Sequence, residues 1–236
     1  MIRYLAAVSL VVLASCSASP TSDAPNTPAP ARTDLTASLT SPLNVDLSWH
    51  VVDKSIAGQV IEYSDQENGE YIILDYLPPG QTSYKHADLM PETKFFYRVR
   101  AYYGTPSPAV ELTLPPGESD ENAAQDWLEP STRPGPAASA SARDPQGAPT
   151  DFTVTMADRN GVKLTWTDRT TDEEGFFVES KPAGAADFQI AATTEANINT
   201  YGLATQPTEK KATYRVVPFK FGEASNIAVQ TTGKAA

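Results

Sequence analysis

Val45-Asp46-Leu47-Ser48-Trp49 and Val162-Lys163-Leu164-Thr165-Trp166 share one pattern: apolar residues at alternate positions, polar residues between them, and a tryptophan at the end. A period of two places the apolar side chains on one face of an extended chain, so each segment reads as a half-buried β-strand. The segments lie 117 residues apart. The same offset carries Asp34 onto Asp151, Gly58 onto Gly175, Glu62 onto Glu179, Tyr84 onto Tyr201, and Tyr97-Arg98-Val99 onto Tyr214-Arg215-Val216. Tyr71 also meets Phe188. One constant offset over so many anchors indicates two copies of one fold.

Around these anchors the alternation continues. Phe95, Tyr97, Val99 and Ala101 alternate with Phe96, Arg98 and Arg100, and Val110, Leu112 and Leu114 alternate with Glu111 and Thr113. Turn-forming clusters such as Gln66 to Gly69, Pro78 to Gly80 and Pro182 to Gly184 separate the runs. Many short strands between turns predict an all-β chain of two tandem β-sandwiches, over 34–114 and 150–233.

Each copy resembles a fibronectin type III domain, an immunoglobulin-like sandwich. The resemblance rests on Trp49 and Trp166 in the second strand, on the Gly-x-x-[IV]-Glu third strand at 58–62 and 175–179, and on the late Tyr-Arg-Val strand. Leu89-x-Pro91-x-Thr93 is similar to the family's turn. The chain departs from the family at its corner tyrosine, whose place is taken by Phe95 and Ala212, and at Pro218 within a strand. Without the phenol neither copy makes the corner hydrogen bond.

Tyr4 to Ala14 form a short apolar run after Arg3, which has the length of a signal-peptide core and is too short to span a bilayer. The run ends in Leu13-Ala14-Ser15-Cys16, which resembles the lipobox of bacterial lipoproteins. The resemblance implies removal of residues 1–15, acylation of Cys16 and a protein held on a membrane without crossing it. Ser17 in the next position implies outer-membrane sorting in a Gram-negative cell. Cys16 is the only cysteine, so no disulfide forms within the chain and each copy relies on its apolar core. Residues 16–33 read as a disordered Pro/Ser/Thr-rich tether. Residues 115–149, with seven prolines and an acidic run from Glu118 to Glu129, read as a linker separating the two copies.

The net charge of −11 argues against a nucleic-acid surface. There is no Gly-x-Ser-x-Gly elbow, no phosphate-binding glycine loop and no thiol left for nucleophilic work, which predicts a non-enzymatic protein without a cofactor. His50 and His86 read as solvent-facing strand residues. Asp168, Asp172, Glu173 and Glu174 crowd one loop, but lack the alternating spacing that wraps one calcium ion. Binding residues are expected among Tyr102, Tyr103, Phe219 and Phe221, at or just beyond the Tyr-Arg-Val strands. Trp127, beside Leu128 in the acidic stretch, is either a docking peptide or a patch folded back on the first copy. The expected partners are a protein of the cell envelope or a glycan, together with the membrane itself.

Overall fold

A computed structural model describes residues 33–119 and 124–235. The expected signal peptide, Cys16 and the tether up to residue 32 lie outside the described residues. In the first copy, β1 (Leu35–Ser41), β2 (Asn44–Trp49) and β5 (Ser83–His86) form an antiparallel sheet in the order β1-β2-β5. It faces β3 (Gly58–Ser64), β4 (Ile72–Leu77) and β6 (Lys94–Tyr103). The second copy repeats this plan. Its β8 (Thr150–Asp158), β9 (Gly161–Thr167) and β12 (Thr200–Ala204) form the small sheet, opposite β10 (Gly175–Pro182), β11 (Gln189–Glu195) and β13 (Lys211–Ala224). The two fibronectin type III-like sandwiches read from the sequence are therefore present.

The period-two pattern places the two cores. Val45, Leu47, Trp49, Ile61, Tyr97 and Val99 close the first, and Val162, Leu164, Trp166, Val178, Tyr214 and Val216 close the second. Phe95 and Ala212, at the corner-tyrosine positions, are both buried. Each fully buried large apolar side chain contributes about 1.5–3 kcal/mol relative to leaving it exposed.

The last strand of each copy, however, belongs to the other. β7 (Val110–Thr113) does not return to β6; it pairs antiparallel with β13, setting Val110 opposite Tyr214 and Leu112 opposite Ala212. β14 (Ala228–Thr231) pairs instead with β6, setting Ala228 opposite Tyr97 and Gln230 opposite Phe95. Leu114 accordingly joins the second core and Ala228 the first. The sequence division at 114 and 150 thus follows the duplication but not the packing.

In the first copy the hinge chemistry favours the crossing. Gly104 to Ala109 contains Pro106 and Pro108, which hold φ near −65° and push the residues before them into extended conformations, against a tight hairpin. At Gly104 a Cβ would overlap the Pro218 carbonyl, so glycine lets the crossing backbone come close. The crossing also joins the two large sheets. Tyr103 lies opposite Lys220 and Tyr102 opposite Phe221, giving the order β11-β10-β13-β6-β3-β4. Tyr103 and Lys220 are themselves equivalent under the repeat, so the two copies meet about a pseudo-two-fold axis, as in an isologous dimer carried on one chain.

Joining the sheets buries faces that an isolated sandwich would leave in water. Val60, Tyr102, Phe177, Val217 and Phe219 form a third core between the copies. This burial explains why β3 and β10 are covered on both faces. Ion pairs on the same faces are enclosed with it. Glu62, 2% exposed, accepts from Arg98 Nε at 2.7 Å and from Arg100 Nη2 at 2.8 Å, and Glu179 pairs with Arg215. Arg98 stacks on Tyr71 and Arg215 on Phe188, a second pair of equivalents.

Residues 124–149 are not a free spacer; they are laid along the second copy as a strap. Asp126–Leu128 form a short 3-10 turn. Trp127 covers Gly161, where any Cβ would overlap its ring. Ser131 and Thr200 then exchange backbone hydrogen bonds at 3.0 Å each, and the Asn199 side chain bonds the Arg133 amide at 2.6 Å and carbonyl at 2.9 Å. Further on, the Ala140 amide donates to the Arg169 carbonyl at 3.0 Å.

Candidate functional site

The structure assigns internal work to most residues expected to bind a ligand. Tyr102 and Phe219 are both 7% exposed and pack on Phe177, with Phe219 stacked on it at a ring separation of 4.2 Å. Burial, with the Glu179 charge nearby, pushes the Tyr102 phenol up to about 12. Tyr103 donates to Asp53 at 2.9 Å and lies under the Arg143 guanidinium at 3.8 Å, while Phe221 lies under Arg100 at 4.1 Å. Trp127 folds back on the second copy and not on the first. The aromatic residues beyond the Tyr-Arg-Val strands are therefore gathered at the junction between copies, because the exchange turns those strand ends inward.

The acidic loop is similarly engaged. Asp172 accepts from Ser141 Oγ, the Ala142 amide and Lys220 Nζ, each at 2.8 Å. Burial opposes the charged Asp172, but Lys220, the Ala142 amide and the Ser141 hydroxyl together hold its carboxyl below the usual range. Asp168 accepts from the Thr170 amide and hydroxyl, Glu173 from the Asn197 amide, and Glu174 from the Phe221 amide. These carboxylates point to separate partners rather than to one ion. Among the described residues no group of three His, Cys, Asp or Glu side chains converges as a metal site would require.

His50 is exposed as expected, but His86 is not solvent-facing. Its ring lies 5.1 Å from Tyr63 and 6.1 Å from Phe95, and Nδ1 is 3.2 Å from the Tyr97 hydroxyl. Burial lowers its pKa, which favours a neutral structural imidazole. β5 is short and pairs only with β2, so its inward side meets the end of the first core, an arrangement the local pattern Ser83-Tyr84-Lys85-His86 does not encode.

What the junction leaves open is a groove of about 600 Å³ between the copies. Tyr76 and Pro78 of the first copy form one wall, Asp187 and Phe188 of the second form the other, and the Glu179–Arg215 pair lies between them. Arg215 is matched by Glu179, which leaves Asp75 and Asp187 as an uncompensated acidic lining. Aromatic side chains beside two carboxylates that no lysine or arginine among the described residues pairs favour a ligand that carries a positive charge. No single-copy reading reveals this site, since its walls are more than 100 residues apart in sequence.

No family model matches the chain, and no curated protein matches it. Solved structures do align with it. A two-domain fibronectin type III segment of chicken tenascin is 13% identical over 86% of this chain and all of its own, with a TM-score of 0.28. A Fn3-like protein from Clostridium thermocellum is 23% identical over 30% of this chain and 75% of its own, with a TM-score of 0.27.

Proposed function

We propose that the protein is a non-enzymatic, lipid-anchored binding protein of the cell envelope, and that a second envelope protein places a basic segment in the groove between its copies. The observation that carries this reading is the acidic, aromatic-walled groove, which the strand exchange holds in one shape. A preformed groove binds without the cost of ordering its own walls. The Leu13-Ala14-Ser15-Cys16 motif supports the anchor, and acyl chains contributing about 0.8 kcal/mol per buried methylene hold a protein stably once two are present. The outer membrane is the proposed location where the cell has one, on the strength of Ser17.

Two measurements test it. Metabolic labelling with an alkynyl palmitate should mark the wild type and not Cys16→Ser. A photo-crosslinking amino acid at Gln189, at the groove wall, should join one envelope protein on intact cells. Asp75→Lys with Asp187→Lys should abolish that product while leaving the melting temperature within a few degrees. A crosslinked product that survives both charge reversals would remove the groove as the binding site.

A further inference from the structure

The duplication supplies an internal control for each core position, and at one end of the sandwich the two copies differ. In the first copy Tyr63, His86, Phe95 and Tyr97 form an aromatic cluster. The Tyr63 ring lies 5.1 Å from His86 and 6.0 Å from Phe95, and His86 Nδ1 is 3.2 Å from the Tyr97 hydroxyl. Leu74 packs against the same core. The offset of 117 puts Ser180, Leu203, Ala212, Tyr214 and Ala191 at these places. The strand register agrees: Tyr63 lies opposite Tyr97 and Ser180 opposite Tyr214, while His86 lies opposite Val45 and Leu203 opposite Val162. Two rings and a leucine of the first copy are thus a serine and two alanines in the second.

The lost volume is not refilled. All five residues line one cleft of about 110 Å³, which Glu209 also borders. Ala204 and Gln206 in its lining are exposed, so the cleft is open to solvent. Protein interiors pack closely, and a void at the place where the sister copy stacks aromatic rings has the shape of a missing ring. The polar groups have changed with it. Leu203 offers no hydrogen bond, so the Tyr214 hydroxyl lacks the contact that Tyr97 has with His86. Glu209 is paired with no lysine or arginine among the described residues. Burial, with the Glu209 charge nearby, raises the Tyr214 phenol.

We propose that this cleft binds a small molecule built on one aromatic ring that carries a hydrogen-bond donor, a phenol or a benzylic amine. The ring takes the place that Phe95 fills in the first copy, beside Tyr214 as Phe95 lies beside Tyr97 at 6.3 Å. Its donor group meets the Glu209 carboxylate or the Ser180 and Tyr214 hydroxyls, all of which accept. The unpaired carboxylate disfavours a ring that carries a negative charge. A closed core cavity of about 150 Å³ takes up benzene. The cleft is smaller but open at one side, which limits the occupant to one ring with its substituent toward the mouth. The site lies within the second copy and does not depend on the protein partner proposed for the groove.

Two-dimensional amide NMR on the full chain in detergent tests the proposal with phenol and benzylamine. At least one should move the amide resonances of Leu203, Ala212 and Tyr214 and saturate in the millimolar range. Movement centred on these amides separates binding from partition into the micelle. Cyclohexanol and benzoate should bind at least tenfold more weakly. Ala212→Phe, which restores the ring of the first copy, should weaken binding at least tenfold without lowering the melting temperature. Ala191→Leu closes the same space and provides the test should that variant misfold, while Asp75→Lys in the groove should leave binding unchanged. No movement at the cleft with either ring compound, binding that persists in the filled variants, or binding of cyclohexanol or benzoate as tight as that of the better ring compound would each overturn the proposal.

Discussion

Ser107 is bonded to Val216, in the opposite copy: its amide donates to the Val216 carbonyl at 2.8 Å and its hydroxyl accepts from the Val216 amide at 3.1 Å. Ser225 does the same to Val99, at 2.9 and 3.0 Å. Each serine lies just before the strand that its copy lends, and bonds the other copy. The symmetry extends to the strand ends, where the Leu114 amide donates to Lys210 and the Thr232 amide to Thr93. Two sandwiches completed by each other's strands share their edge pairing and are expected to fold as one unit.

Unfolding should therefore be a single transition for both copies. Leu47→Ala, in the first core, removes a fully buried side chain and should cost about 2–5 kcal/mol. Differential scanning calorimetry should show one peak, displaced to lower temperature as a whole. Two peaks, with only one displaced, would mean that the copies unfold separately.

Glu62→Gln should be among the most costly polar substitutions in the chain. It leaves Arg98 and Arg100 without their carboxylate inside the junction, and breaking a buried pair in this way costs about 3–5 kcal/mol. Both arginines retain some contact with water, so the lower end of that range is expected in urea denaturation.

Gly161→Ala should release the strap without unfolding the sandwich beneath it. The new methyl occupies the space of the Trp127 ring. Trp127 emission should shift to the red and become quenchable by iodide, while the far-ultraviolet circular dichroism stays that of the wild type.

Asp172 should give the junction of strap and sandwich an acid limit. Its folded carboxyl lies below the ordinary value of about 3.9, so the unfolded chain binds the proton more readily in that window. The stabilisation is complete above the unfolded pKa and is lost as pH falls through the folded one. The difference in urea midpoint between wild type and Asp172→Asn should accordingly be constant from pH 7 to 5 and shrink below pH 4.

The strand pattern made the sandwiches legible because Val45-Leu47-Trp49 and Val162-Leu164-Trp166 each report on their own strand. The exchange was not legible, since β7 has the same alternation whether it pairs with β6 or with β13. Pro106 and Pro108 were the available signal: two prolines where a hairpin should turn. The same limit applies to the binding residues. Tyr102 and Phe219 lie near strand ends, which in an isolated copy would be exposed, and only the crossing of the two copies buries them. Composition alone suggested that 115–149 was a spacer, but the small residues at Gly161 and Gly202 that receive Trp127 and Leu128 lie outside it.

The strand exchange is tested most directly by paired cysteines in a Cys16→Ser background. Thr231 lies opposite Lys94 in the exchanged pairing, whereas the equivalent Thr113 lies opposite Lys211. Lys94→Cys with Thr231→Cys should form a disulfide within one chain on mild oxidation, and Lys94→Cys with Thr113→Cys should not. The opposite result, a bond to position 113 and none to position 231, would show two ordinary sandwiches in tandem and contradict the account.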